Sequence, residues 1–465
     1  MNENFEDRDE VLDTVRRFER MLTNNEPVFF DLGDFENIID HYTTHTQYDK
    51  ALRACEAAIA QYPFSTELLI DRSQVLAMKG EYVEAAAQIE DVALLDPDNP
   101  DVAVTRGIIA TQKGDFSEAV AYFLSALERA PDRDDIHFNL GLAYQSWLKF
   151  KSAAKYYKQS LRLNLDNEVA VQELLYCLEV SERLETNLEF FRRFTDDDPY
   201  SALAWYNLGQ AYFRLGRYDD AIAAFEYAIL IDGKFYDAHG YLASTYVNQE
   251  HYRKAIDEFQ LSYEKDKPTA EALCNIGECH EKLAEWDQAR RYYQKSIDMD
   301  ETMDEAWFGI GIVLSAQDRN FEAIHFFRRA VNLYEESVEY WLALATAEYQ
   351  VGNIVSAIEC YEKATLVAPD NKDAWLNWSI ILYEQGNYDG AIDLMRNAVE
   401  IQPAEAELHY RLCAYLLAAG RYREAYECLE NALVLDFDKH RLLFDYFPEL
   451  ESQRALARLI DQYRK

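Results

Sequence analysis

Residues 202–235 read ALAWYNLGQAYFRLGRYDDAIAAFEYAILIDGKF, and this stretch decides the fold. Numbered from Ala202, positions 4, 7, 8 and 11 are Trp205, Leu208, Gly209 and Tyr212, one stripe of a helix. Positions 17, 20, 24 and 27 are Tyr218, Ala221, Phe225 and Ala228, a second stripe. Leu215, Gly216 and Arg217 part the two, the glycine being tolerant of left-handed backbone geometry. The stretch predicts a helix, a tight turn and an antiparallel helix.

The pattern continues outward in both directions. Alanine recurs every 34 residues at Ala51, Ala85, Ala119 and Ala153, and from Ala221 through Ala255, Ala289, Ala323, Ala357 and Ala391 to Ala425; only Asn187 interrupts it. Twelve units follow without insertion: 32–65, 66–99, 100–133, 134–167, 168–201, 202–235, 236–269, 270–303, 304–337, 338–371, 372–405 and 406–439. A period of this size marks a solenoid, whose helix pairs bury their apolar stripes only by stacking. Gly141, Gly209, Gly277 and Gly311 at position 8 fit a close helix crossing. Proline at position 32, as in Pro63, Pro97, Pro199 and Pro369, ends the second helix.

These columns resemble the tetratricopeptide repeat (TPR) family. The resemblance implies an all-α solenoid, a right-handed superhelix whose first helices line a concave face. The expected organisation is an N-terminal capping helix in 1–31, repeats in 32–167, an irregular fifth repeat in 168–201, further repeats in 202–439, and C-terminal capping helices in 440–465. Val11, Val15, Phe18 and Leu22 supply the first cap's stripe. Arg441 to Phe447 should begin a thirteenth first helix, stopped by Pro448. Leu456, Leu459, Ile460 and Tyr463 then form one apolar face, with Arg454, Arg458, Gln462 and Arg464 outward. The fifth repeat carries Leu175, Asn187 and Phe194 at its three small positions, which predicts wider helix spacing there.

Composition narrows the function. A formal charge of −38 opposes a phosphate backbone, and the reading expects no compensating basic run, so nucleic acid is not an expected ligand. An odd seven cysteines fit a reducing compartment. The acidic, polar Met1 to Glu10 do not resemble a secretory signal, and no apolar run approaches a membrane span. A cytoplasmic location is expected, and the oligomeric state stays open.

Three columns of the first helix point to partner binding. Position 2 is acidic in nine units, among them Glu271 and Glu305, a lip for Lys or Arg or simply carboxylates favoured by the helix dipole. Position 6 is Asn in five units, including Asn139, Asn207, Asn275 and Asn377. A carboxamide donates and accepts, so it can grip an extended backbone. Such a column resembles the asparagine ladder in the repeat region of O-linked N-acetylglucosamine transferase. Position 5 places Phe138, Tyr206 and Phe308 as groove pockets, with Gln210 one turn beyond Tyr206. The carboxylate clamp of chaperone-binding family members needs Lys at positions 5 and 2, and no full unit has either.

Enzyme chemistry finds no footing. There is no Gly-rich phosphate loop, no Gly-x-Ser-x-Gly and no His-Glu-x-x-His. His41 with His45, and Cys274, Cys279 and His280, lack a metal set. The expectation is a scaffold or adaptor without catalysis, cofactor or metal, holding a peptide with a basic or apolar segment. A chaperone of secretion or assembly, or a peptide-sensing regulator, is the alternative; an enzyme or RNA binder comes last.

Overall fold

The computed structural model describes residues 3–24, 28–263, 268–452 and 454–463, and every regular element among them is helical. The chain divides into two units, Met1–Tyr241 and Leu242–Lys465. Within each, a repeat is a first helix and a second helix, as in Ala202–Arg214 and Tyr218–Ile231.

Short polar side chains start the first helices. Ser65, Ser201, Thr269, Ser337 and Asn371 each accept a hydrogen bond from an N–H of the opening turn, which satisfies a donor that the helix leaves orphaned. The turn between helices has one left-handed residue, at position 15. It is glycine in six repeats, Gly216 among them, but Thr46, Leu148, Glu182, Glu250, Ala284 and Asp318 take the same positive φ in the others.

The small residue at position 8 has a specific partner. A Cβ on Gly107, Gly209, Gly277 or Gly311 would lie 2.6, 2.5, 2.7 or 2.5 Å from the ring at position 24 of its own repeat, respectively Phe123, Phe225, Tyr293 and Phe327. Ordinary carbon contacts are about 3.5–4.0 Å, so any side chain there displaces the ring. Successive repeats are also stapled. The indole N–H of Trp205, Trp307, Trp341 and Trp375, at position 4, donates at 2.9 to 3.0 Å to a backbone carbonyl at position 32 of the preceding repeat.

The fifth repeat differs in its second helix. That helix is shortened to Leu188–Asp197 behind a 3-10 turn, Glu185–Asn187, while Leu175 and Phe191 are both fully enclosed. Asn187 accepts a hydrogen bond from Lys158 and donates one to the Arg183 carbonyl at 2.6 Å.

At the N-terminal end, Glu3–Asn24 lays Val15 and Phe18 on Phe30, Phe35 and Tyr42, with Phe18 ring centroids 6.0 to 6.4 Å from theirs. Leu22 does not join this cap. It stays 40% exposed, and Met21, three residues from Phe18, packs on the cluster instead. At the other end a 3-10 turn Phe437–Arg441 leads into a short helix, Leu442–Tyr446, within the expected Arg441–Phe447, and a second 3-10 turn Pro448–Ser452 follows it. Arg454–Tyr463 follows and buries Leu456 and Ile460. Arg458 and Gln462 face outward; the side chains of Arg454 and Arg464 lie outside the described residues.

Candidate functional site

First helices of neighbouring repeats enclose a cavity within each unit. In the second, Ala270–Lys282, Asp304–Ala316 and Val338–Gln350 bound a space of about 420 Å³. Glu278, Glu281, Glu305 and Glu339 line it against a single cation, Lys282. Its apolar wall is Phe308, whose ring centroid is 4.5 Å from that of Tyr340 and 5.5 Å from that of Phe327. Tyr293 reaches in from a second helix and donates its hydroxyl to Glu281 at 2.8 Å. Burial pushes the Glu281 carboxyl up, with the Tyr293 hydrogen bond opposing it. Burial also raises Glu305, reinforced by Asp304 and Glu271.

The first unit repeats the theme. Leu32–Thr44 and Thr66–Lys79 flank a cavity of about 350 Å³ that Glu36, Asp40, Glu67 and Asp71 line, with no cation beside them among the described residues. Burial, then the like charges of Glu36, Glu67 and Asp101, push Asp71 up to about 6. Unpaired carboxylates in such a space favour a positively charged guest.

The predicted columns do not form one uniform strip. At position 2, Glu305, Glu339 and Glu67 line these cavities, and Glu271 is exposed. Asp101 and Asp135 share Arg133, and Glu407 is engaged by Lys372 at 2.8 Å and Tyr446 at 2.9 Å. At position 5, Phe138 is half-buried beside Tyr157, while Tyr206 is buried against Phe235 and Tyr241 at 4.8 and 5.5 Å.

Position 6 is the most varied. Asn139 donates to the Asp135 carbonyl of its own helix at 2.9 Å. Asn207 is 2% exposed, and among the described residues neither polar atom of its carboxamide has a hydrogen-bond partner. Gln210, one turn on, accepts from the Gln172 amide. Asn275 is half-buried and Asn377 exposed.

Sequence columns read singly missed Glu278 and Glu281, at positions 9 and 12. The signal was present: on one helix they sit one turn apart, on the side that meets Glu305 and Glu339 of the next two repeats. The expectation of no basic run also fails. Residues 136–165 hold five Lys and Arg and no Asp or Glu.

The remaining candidates have ordinary roles. His45 bonds the His41 carbonyl at 2.7 Å through its ring nitrogen, and His280 pairs with Glu285 at 2.8 Å. Cys274 and Cys279 are buried, which pushes both thiols up to about 12. Among the described residues no group of three or more His, Cys, Asp or Glu is placed to hold a metal ion. None of their helices is long and apolar enough to cross a membrane.

Five family models, each described as tetratricopeptide repeat, match the chain. They cover residues 44–106 and 382–441; 104–146, 280–338 and 342–406; 134–167; 202–235; and 249–302. No curated protein matches. Similar solved structures include YrrB, described as a TPR protein with an unusual peptide-binding site. It is 21% identical, covering 40% of this chain and 95% of that one, with a TM-score of 0.34. The APC/C hetero-tetramer Cut9–Hcn1 gives 14%, 87%, 99% and 0.39 in the same order. MamA gives 21%, 36%, 97% and 0.32.

Proposed function

We propose a function from a settled premise: the chain belongs to the tetratricopeptide repeat family. Its repeats are a protein-interaction scaffold. In our reading it works without catalysis, and the segment it holds is a peptide with Lys or Arg beside an apolar residue, laid along a concave groove of first helices.

One observation carries this reading, the cavity in which Glu278, Glu281, Glu305 and Glu339 outnumber Lys282 beside Phe308 and Tyr340. A unit charge pair about 4 Å apart gains about 4 kcal/mol before desolvation at the effective dielectric of a protein surface. A Lys or Arg stem also covers apolar wall while its head stays polar. The carboxylates beside Asp71 are a second place for the same chemistry. Backbone gripping by Asn139, Asn207 and Asn275 belongs to the same reading. An unpaired buried carboxamide like that of Asn207 costs about 1–3 kcal/mol, which a bond to a peptide group would recover.

Selection of random peptides on the purified full chain tests this. Lys or Arg next to an apolar residue should be enriched, and Glu305→Gln/Glu339→Gln should weaken the selected peptide by more than about tenfold. Selected peptides without basic enrichment, or equal affinity for the variant, refute it. Unchanged affinity in Asn139→Ala/Asn207→Ala/Asn275→Ala would retire the ladder alone.

A further inference from the structure

The acidity of this chain has a gap, and the irregular repeat closes over it. Lys151, Lys155, Lys158 and Arg162 recur at i, i+4, i+7 and i+11 on the helix Phe150–Leu163, so they form one stripe. Arg183, on the turn between the helices of the fifth repeat, joins them around a cleft of about 260 Å³ floored by Ala154 and Leu178. Among the described residues no carboxylate lines it.

Several arginines elsewhere in this protein are paired with carboxylates. Arg319 holds Glu322 at 2.6 Å, Arg217 holds Asp220 at 2.6 Å, and Arg396 holds Asp393 at 3.1 Å. Among the described residues none of the five cleft cations lies within 4.0 Å of a carboxylate; the nearby Glu185 and Glu189 pair instead with Arg217 at 3.2 Å and Arg193 at 4.0 Å. Arg162 donates to the neutral Gln159 at 3.3 Å and lies 5.9 Å from the centre of the Phe190 ring. Lys158 is half-buried, bonds to Asn187 and lies 5.1 Å from the centre of the Phe190 ring. Burial and the charges of Arg162 and Arg183 disfavour its ammonium.

The one break in the alanine series makes this arrangement. An alanine at position 20 offers Lys158 no acceptor, whereas Asn187 accepts from it and donates to the Arg183 carbonyl at 2.6 Å. It thereby fixes both the half-buried lysine and the turn that carries the opposing arginine.

We propose that this second-helix cleft docks an acidic peptide segment of a partner protein. From Lys151 to Arg162 the stripe is about 16 Å long at ~1.5 Å per helical residue. That matches roughly five residues of extended chain and exceeds a single phosphate. A nucleic acid would run beyond the stripe onto a surface belonging to a chain of charge −38, where phosphates are repelled. A short run of Asp and Glu ends where the cations end. The inference is independent of the basic-peptide reading, since it uses other helices and the opposite charge.

The test is fluorescence anisotropy of a labelled short Glu-rich peptide on the full chain at low salt, with a short single-stranded RNA in parallel. Lys155→Glu/Arg162→Glu changes two exposed side chains and should weaken the peptide by more than about tenfold. Lys155→Arg/Arg162→Lys should retain it. Lys254→Glu/Lys295→Glu, which alters net charge equally at other exposed sites, should change affinity by less than about twofold. Unaltered helical circular dichroism shows that each variant folds. The proposal is overturned if wild type does not bind the peptide or if both charge reversals weaken it alike. It is equally overturned if RNA binds more tightly and is the ligand lost in Lys155→Glu/Arg162→Glu. Glu305→Gln/Glu339→Gln should leave this binding intact, which separates its failure from that of the basic-peptide reading.

Discussion

Gly309→Ala sets helix propensity against geometry. In a helix interior the change normally gains about 1 kcal/mol. Here the new Cβ would stand 2.5 Å from Cε2 of Tyr293, a ring from the preceding repeat. The ring has no retreat, because a Cβ on Gly277 would lie 2.7 Å from its Cδ1. Tyr293 is 2% exposed and tethered through its hydroxyl to Glu281 at 2.8 Å. Restoring ordinary contact requires a movement of about 1 Å, and such overpacking costs ~1–3 kcal/mol. With the ring held on both sides the cost falls at the upper end, about 2–3 kcal/mol, so geometry should win with a net loss of about 1–2 kcal/mol. Repeat arrays do not unfold as one two-state unit, so the assay is hydrogen exchange resolved by peptide. Protection should fall about five- to thirtyfold in Trp286–Met299 and Asp304–Ala316. Gly309→Ala/Tyr293→Leu should restore part of it, because the two residues are coupled. Unchanged or raised protection in Gly309→Ala would refute the wedged ring.

Two further outcomes follow from the turns and the acidic cavities. Leu148 is 76% exposed at φ 57, so Leu148→Gly gives up little packing and should gain about 0.5–1 kcal/mol, read as slower hydrogen exchange in Asp134–Ser146 and Phe150–Leu163. The Asp71 carboxyl takes up its proton at about 6 when folded, against an ordinary 3.8. The folded state thus binds more protons between those values, and stability falls as pH rises through them. Asp71→Asn should exceed wild type by ~2–3 kcal/mol above pH about 6 and match it below pH about 4. Hydrogen exchange of Thr66–Lys79, compared between Asp71→Asn and wild type at equal pH on both sides of that window, checks it, and a constant difference would refute it.

The repeat was legible because its causes are local. Gly209 at position 8 announces a crossing, and the reason for it is the Phe225 ring, which only the fold brings against it. The left-handed turn was visible where Gly216 stands and invisible at Leu148 or Glu182, where the fixed 34-residue closure imposes it on residues that do not favour it. Phe308 and Glu305, which repeat in columns, were legible as candidates, and both line the cavity of the second unit. Glu278 and Glu281 were not, because their cavity joins different positions of three consecutive repeats. The varied states of Asn139 and Asn207 depend on neighbours outside their column, such as the Asp135 carbonyl. The basic run was readable from 136–165 alone, and a single net charge conceals it.

The indole staple gives the array an interchangeable joint. Each Trp at position 4 reaches a main-chain oxygen, offered by proline at Pro199 and Pro369 and by glutamate at Glu301 and Glu335. The joint is therefore blind to the side chains of the module it fastens. Excising residues 338–371 would bring Trp375 over the oxygen that Trp341 now uses, with the register unbroken. A lineage can lengthen or shorten such a chain by whole modules while the residues that meet partners change freely between the joints.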